Sequence, residues 1–298
     1  MATPKLRFKE FEGDWSTNKI EEISIVTSGG TPSRNVSDYW NGDIPWVTTS
    51  LVDFNVINEA EEFITQVGLD NSSAKLFDKN TILMAMYGQG KTRGQVAKLG
   101  IEASTNQACA AIILSSDYCV DYYYQFLIYQ YENIRDMSNS GSQENLSGSI
   151  VKSIPVLVPP YFEQEKIAQI LSTWDQAISA TEKLLKNSQE QKKALMQQLL
   201  TGKKRLLDKN GVIFSEEWKY SHLVDIAKIS KGKALSSKDL KIGSYPVIAG
   251  GKTSPYTHSE YTHENVITVS ASGAYAGYVA FYPYKIWASD CSVVSNKI

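Results

Sequence analysis

YFEQEKIAQILSTWDQAISATEKLLKNSQEQKKALMQQLLT, residues 161–201, contains neither Gly nor Pro, although both flank it. Leu171, Trp174, Ile178, Leu185, Leu195 and Leu199 fall on a stripe of alternating three- and four-residue spacing, interrupted by Thr181, Ser188 and Lys192. That spacing predicts a helix that packs lengthwise on another helix, with an imperfect seam. Both ends are signalled. Pro159 and Pro160 stand before the first turn, where the missing N–H has no intrahelical role. Glu163 and Glu165 place negative charge at the positive end of the helix dipole. Gly202 is suited to the left-handed position after the last turn, ahead of Lys203, Lys204 and Arg205. About 40 residues at 1.5 Å each give a rod of roughly 60 Å. Few compact domains need one; the stretch reads either as a long surface helix of one domain or as a spacer or coiled-coil arm between two, and the rest of the chain decides.

The totals permit either arrangement. A chain of 298 residues holds one large domain or two small ones. Its net charge of −2 offers no overall basic signature, so nucleic-acid binding would rest on local patches. Cys109, Cys119 and Cys291 have no metal-ligand spacing, and their odd number argues against a disulfide framework. No apolar run approaches the ~20 residues of a membrane span, and MATPKLRFKEF lacks a signal-peptide core. The expectation is a cytoplasmic protein without a membrane or metal partner.

Around the long helix the chain alternates between turns and short strands. A short helix and strand are expected over 19–27, a tight turn at Asn41-Gly42 and a strand over 44–50. Further strands are expected over 81–87, 95–99 and 108–114. One helix is expected over 121–135, a polar loop over 138–149 and a strand over 150–158.

The segment after the long helix repeats the one before it. Phe11 and Trp15 precede a run ending at Gly29; Phe214 and Trp218 precede one ending at Gly232, with the same Trp-to-Gly spacing. Gly42-Asp43-Ile44-Pro45 returns as Gly243-Ser244-Tyr245-Pro246. Asn80-Thr81-Ile82 returns as Asn265-Val266-Ile267, and Gly94-Gln95-Val96 as Gly277-Tyr278-Val279. Thr105-Asn106 returns in kind as Ser289-Asp290. The preserved order marks an internal repeat. The fold class expected is mixed α/β (α+β): two repeated domains, 1–160 and 203–298, joined by a long coiled-coil-type helix, 161–202, with the second domain incomplete.

No catalytic constellation emerges. GQGKT (88–92) matches half of a phosphate-binding loop, but the first required glycine is Ala85 and a strand follows instead of a helix. Val158-Pro159-Pro160-Tyr161 has the prolines of an amino-methyltransferase motif, yet Val158 stands where Asn or Asp would hold the amine. His258 and His263 read as solvated loop residues. The Tyr122, Tyr123 and Tyr124 run suits core or rim packing, with some of the aromatics suited to a DNA-facing cleft.

Three stretches resemble specificity subunits of type I restriction-modification systems. They are SGGTPSRNVSDYWNGDIPWVTTSLV (28–52), STNQACAAI (104–112) and IPVLVPPYFEQEKIAQILSTWDQAI (154–178), the last leading to LLTGKKRL. The resemblance implies two target-recognition domains held apart by long helices, each reading half of a split DNA site. A ~60 Å rod matches roughly 17 base pairs at ~3.4 Å each, so the spacer would set the gap between half-sites. It also implies no chemistry and no cofactor in this subunit, with S-adenosylmethionine, ATP and Mg in the partners. The implied partners are double-stranded DNA, two methyltransferase subunits and restriction subunits. Self-association through the central helix is a further expectation. The competing readings are a stand-alone DNA methyltransferase, which needs a cofactor loop that is not evident, and a coiled-coil interaction protein with no DNA role.

Side-chain chemistry nominates the DNA-binding residues. Gln89, Lys91, Thr92 and Arg93 lie in the glycine-rich loop, Thr48, Thr49 and Ser50 follow the Trp46 strand, and Arg34 flanks the first turn. Lys252, Thr253 and Ser272 occupy matching regions of the repeat. Arg and Lys suit guanine or phosphate, Gln suits adenine, and hydroxyls suit either. Leu171, Trp174, Ile178, Leu185, Leu195 and Leu199 are the expected helix–helix or partner interface.

Overall fold

In the strand Ile82–Ala85 all four residues are buried, because apolar layers cover both faces of its sheet. Ile82 and Met84 face a helical layer, while Leu83 and Ala85 face a second sheet. The structure, a computed structural model, describes residues 6–88, 90–138, 145–236, 238–252 and 255–297. Two compact units form, Met1–Gln191 and Lys192–Ile298.

In the first unit the larger sheet has the order Ser24–Ser28, Cys109–Leu114, Ile82–Ala85, Val96–Leu99, Val56–Ile57. Its first four strands are antiparallel and the last pair is parallel. The smaller sheet runs Glu62–Ile64, Trp40–Val47, Ala103–Thr105, Leu76–Phe77, with its central pair parallel. Helices Val120–Tyr129, Tyr131–Asp136 and Gly148–Ser153 cover the outer face of the larger sheet. Ile20 and Ile23, on the short helix Ile20–Ile23, are sealed beneath that layer. Full burial of such a side chain contributes about 2 kcal/mol.

The second unit repeats this plan. Ala227–Lys231, Cys291–Asn296, Val266–Ser270 and Val279–Tyr282 form an antiparallel sheet in the corresponding order. Thr257–His258, Tyr245–Ile248 and Trp287–Ala288 form the small sheet, again with one antiparallel and one parallel pairing. Gly94 and Gly277 both take positive φ, and their N–H groups bond to Ala85 and Ser270, each at 2.9 Å. Pairing register makes Cys109 and Cys291 counterparts, opposite Ala85 and Ser270 respectively. Trp46 pairs with Ser104, whereas its counterpart Val247 pairs with Trp287. The indole has thus moved one strand across, yet it keeps its bond: Trp46 donates to Gly30 O at 3.0 Å and Trp287 to Lys233 O at 2.9 Å.

One face differs. Leu223 and Ile226, counterparts of the buried Ile20 and Ile23, are 51% and 64% exposed. Val279 and Phe281, in the places of Val96 and Lys98, are 59% and 60% exposed. In the first unit Lys98 is paired with Asp121 of the covering helix Val120–Tyr129.

The long helix runs Tyr161–Leu200. Glu163 and Gln164 both return their N–H to Pro160 O, at 2.9 and 3.0 Å. The buried Gln164 side chain donates to Pro159 O at 2.8 Å and accepts from Cys119 N at 2.9 Å. Arg7 grips Glu163 through two bonds of 2.9 and 2.7 Å, and Trp15 adds a third at 3.2 Å. These contacts tie the first turns into the first unit's core, so the compact units divide inside the helix rather than at its ends. Gly202 closes it at φ +72°. Among the described residues no helix is long and apolar enough to cross a membrane.

Four local expectations are corrected. Asn41-Gly42 is a bulge inside the strand Trp40–Val47: Trp40 and Ile44 both pair with Ile64, and Asn41 takes φ +62°. The expected tight turn is instead an interruption of the ladder. The single helix over 121–135 is broken at Gln130, whose ψ of 2° ends one helix and starts the next. The first part of the strand expected over 150–158 lies in the helix Gly148–Ser153, capped by the Ser147 side chain on Ile150 N, and Pro155–Val158 is extended as expected. Pairing aligns Thr105 with Ala288, one residue away from the sequence match to Ser289.

Candidate DNA interface

Strand directions collect four connections at one end of the first unit. Ser28 pairs with Ala110, and Cys109 with Ala85, so the segments after Ser28, after Ala85 and before Cys109 lie together. Val47 pairs with Thr105, which brings in the turn after Val47. Gly30 N donates to Thr105 O at 2.8 Å, and Thr31 Oγ1 to Gln107 Oε1 at 2.5 Å. The second unit gathers the segments after Lys231, Ile248 and Ser270, and before Cys291, in the same way.

Within this end the nominated residues differ in what their side chains are free to do. Arg34 stacks 3.7 Å above the Trp40 ring and 4.9 Å from Trp46, while both terminal nitrogens bond Glu62 at 2.9 and 2.7 Å. That hydrogen bonding holds the Glu62 carboxyl below its usual range, against the opposing effect of partial burial. Thr48 Oγ1 and Ser50 Oγ share a bond of 2.6 Å, with half-buried Thr49 between them opening a 3-10 turn. Lys91 is exposed and Thr92 half-buried. Arg93 is only 8% exposed. The hairpin closes between Ala85 O and Gly94 N, which places Arg93 in the neck rather than at the tip. Gln89 and Thr253 lie outside the described residues.

In the second unit Lys252 sits 5.6 and 5.9 Å from the Tyr275 and Tyr278 rings. Ser272 donates to Asp290 at 2.9 Å. These residues occupy the topological places of the first unit's turn after Val47 and glycine-rich loop.

Two residues absent from the nominated set hold that loop. Arg135 donates to Gly90 O at 2.8 Å and to Tyr131 Oη at 3.1 Å. Tyr131 donates to Lys91 O. Their one-turn spacing on a helix was the available signal, but it points to a loop 40 residues away that periodicity cannot supply. The tyrosine run is core: Tyr122, Tyr123 and Tyr124 are buried, and burial raises their hydroxyl pKa values. His258 is also corrected. It is buried with its ring 4.2 Å from Trp287, accepting from Glu260 N at 2.9 Å.

Along the long helix, Trp174 and Ile178 are 65% and 55% exposed, and Leu171, Leu185 and Leu195 are exposed too; Leu199 is half-buried. The predicted stripe is therefore an open apolar surface over most of its length.

Comparison with known proteins places this geometry. The type I restriction enzyme MjaIX specificity subunit of Methanocaldococcus jannaschii is 33% identical over 175 residues, covering 57% of this chain and 40% of the relative. The EcoR124I/EcoR124II specificity subunit of Escherichia coli is 30% identical over 176 residues, covering 57% and 43%. The match thus spans about two-fifths of the length of these curated relatives. A type I restriction-modification S subunit from M. genitalium shares the fold, with a TM-score of 0.62 at 16% identity over all of this chain and 76% of that one. The family model described as type I restriction modification DNA specificity domain matches residues 12–191 and again 215–297, one match for each copy of the repeat. The chain belongs to the type I restriction modification DNA specificity domain family.

Proposed function

We propose that this chain is the DNA sequence-specificity subunit of a type I restriction-modification complex and performs no catalysis itself. The observation that carries the reading is the duplication. Two units of one topology each gather polar and basic loops at the corresponding end of their sheets. Two such readers recognise two separate short sequences, so the target is bipartite. Lys91 and the Thr48–Ser50 turn are the DNA-facing candidates of the first unit, with Arg34 beside them. Lys252 and Ser272 are those of the second. The names of the relatives favour neither a stand-alone methyltransferase nor a coiled-coil protein without a DNA role.

The partners follow from the same reading. Two methyltransferase subunits dock along the long helix and its flanks and carry S-adenosylmethionine. Restriction subunits with ATP and Mg join that assembly. The open stripe from Leu171 to Leu195 also suits antiparallel pairing with the same helix of a second copy. Co-expression with the partner methyltransferase, followed by mapping of methylated positions, tests the function. A split motif is expected; a contiguous motif, or methylation unaffected by deleting this chain, would overturn it.

A further inference from the structure

The geometry points to Tyr131 and Arg135 as positioning residues that set the sequence preference of the first unit without touching DNA. The inference rests on the reading of Gly90–Thr92 as a DNA-facing tip. The tip has little of its own to fix it. Gly90 and Gly94 both take positive φ, and no other atom lies within 4 Å of where a Cβ on Gly90 would stand. Glycine positions of this kind carry a high backbone entropy, which must be lost before a side chain can be aimed.

The helix Tyr131–Asp136 supplies the constraint. Arg135 reaches Gly90 O, Tyr131 reaches Lys91 O, and the two side chains bond each other. The guanidinium lies 5.3 Å from the Tyr131 ring centroid. A Cβ on Gly94 would stand 3.1 Å from Arg135 Cγ, so the aliphatic stem also packs the neck of the loop. The brace is itself anchored: Ile134 is buried, and Tyr131 meets Phe54 edge-on at 5.0 Å. Two consecutive carbonyls are thereby held from the protein side, while the Lys91 side chain remains exposed. In the second unit Lys252 lies 5.6 and 5.9 Å from the rings of Tyr275, in the short turn Gly273–Tyr275, and Tyr278.

Positioning and contact have different signatures in binding. A phosphate contact strengthens binding to all sequences alike, whereas a fixed loop geometry favours one sequence over others. The test uses the full chain in complex with its methyltransferase. It is titrated with duplex DNA carrying the mapped motif and with the same duplex after its first half-site is scrambled. Tyr131→Phe, which keeps the ring packing, and Arg135→Ala should each cut the ratio of the two affinities by about 10-fold, with scrambled-site affinity held within about 2-fold. Arg135→Lys should fail to restore the ratio, because an ammonium lacks the planar fork that spans two acceptors. Lys91→Ala is the contrast, weakening both duplexes equally. Loss of both affinities in proportion, or no change in Tyr131→Phe and Arg135→Ala, overturns the proposal. A wild-type complex that does not distinguish the two duplexes instead overturns the assignment of this unit as a reader, and the positioning role with it.

Discussion

Gly29 lies so close to Thr105 that a Cβ placed on it would stand 2.0 Å from the Thr105 carbonyl oxygen; a Cβ on Gly232 would stand 2.2 Å from Ser289 O, with the carbonyl oxygen of Ala288, the counterpart of Thr105, at 2.9 Å. Neither neighbour can yield, since both atoms are backbone. Gly29→Ala and Gly232→Ala should each destabilise their own unit by ~3 kcal/mol or more. Gly148→Ala, with nothing within 4 Å, is the tolerated control. Urea unfolding followed separately in the two units checks the pair.

Glu62 occupies both terminal nitrogens of Arg34. Glu62→Gln removes the competing charge and should tighten binding to any duplex by about 3- to 10-fold at low salt, with a steeper salt dependence. Titrations at two salt concentrations decide it. Unchanged affinity would remove Arg34 from the DNA-facing set.

The open stripe makes opposite demands on stability and on assembly. Trp174→Glu with Ile178→Glu should change the stability of the chain by no more than about 0.5 kcal/mol, because both sites are exposed. The same pair should convert a self-associating chain to monomer in light scattering. Wild-type protein that stays monomeric at high concentration would count against pairing through this face.

Burial lowers the His263 pKa from its ordinary 6.5, with Lys228 acting in the same direction. The folded second unit therefore binds this proton less readily than the unfolded chain does. The stability it contributes is complete above pH 6.5 and falls as pH drops below that value. The midpoint of the second unit's transition should fall between pH 7.5 and 5.5, and His263→Gln should flatten that dependence.

Phe281 stands in the open where Lys98 stands in the first unit. Phe281→Lys should reduce binding of an apolar dye and non-specific aggregation while leaving stability within about 0.5 kcal/mol. An unchanged dye signal would show that this face is covered in solution.

Most of the architecture was legible because it rests on local signals. Pro159, Pro160 and Gly202 delimit the long helix, and the Trp15–Gly29 and Trp218–Gly232 spacings announce the duplication. What escaped depends on contacts distant in sequence. Asn41-Gly42 gave a turn signal, but only the partner strand at Ile64 shows that it is a bulge. Arg93 had the chemistry of a reader; the closure at Gly94 put it in the neck. Tyr131 and Arg135 gave no sign of their target, since Gly90 and Lys91 lie 40 or more residues earlier. Ser147 caps a helix where the apolar residues suggest a strand, because Ile150, Val151 and Ile154 suit either element until packing decides.

The displaced tryptophan limits how the two halves can trade parts. A hybrid first unit with the Trp287–Ala288 strand in place of Ala103–Thr105 would bring two indoles to the single carbonyl of Gly30. The converse hybrid would leave the carbonyl of Lys233 with none. Each small sheet therefore matches its own indole to its own carbonyl. Exchange of one inner strand between the copies would disturb this indole bond, whereas exchange of both inner strands together would keep it.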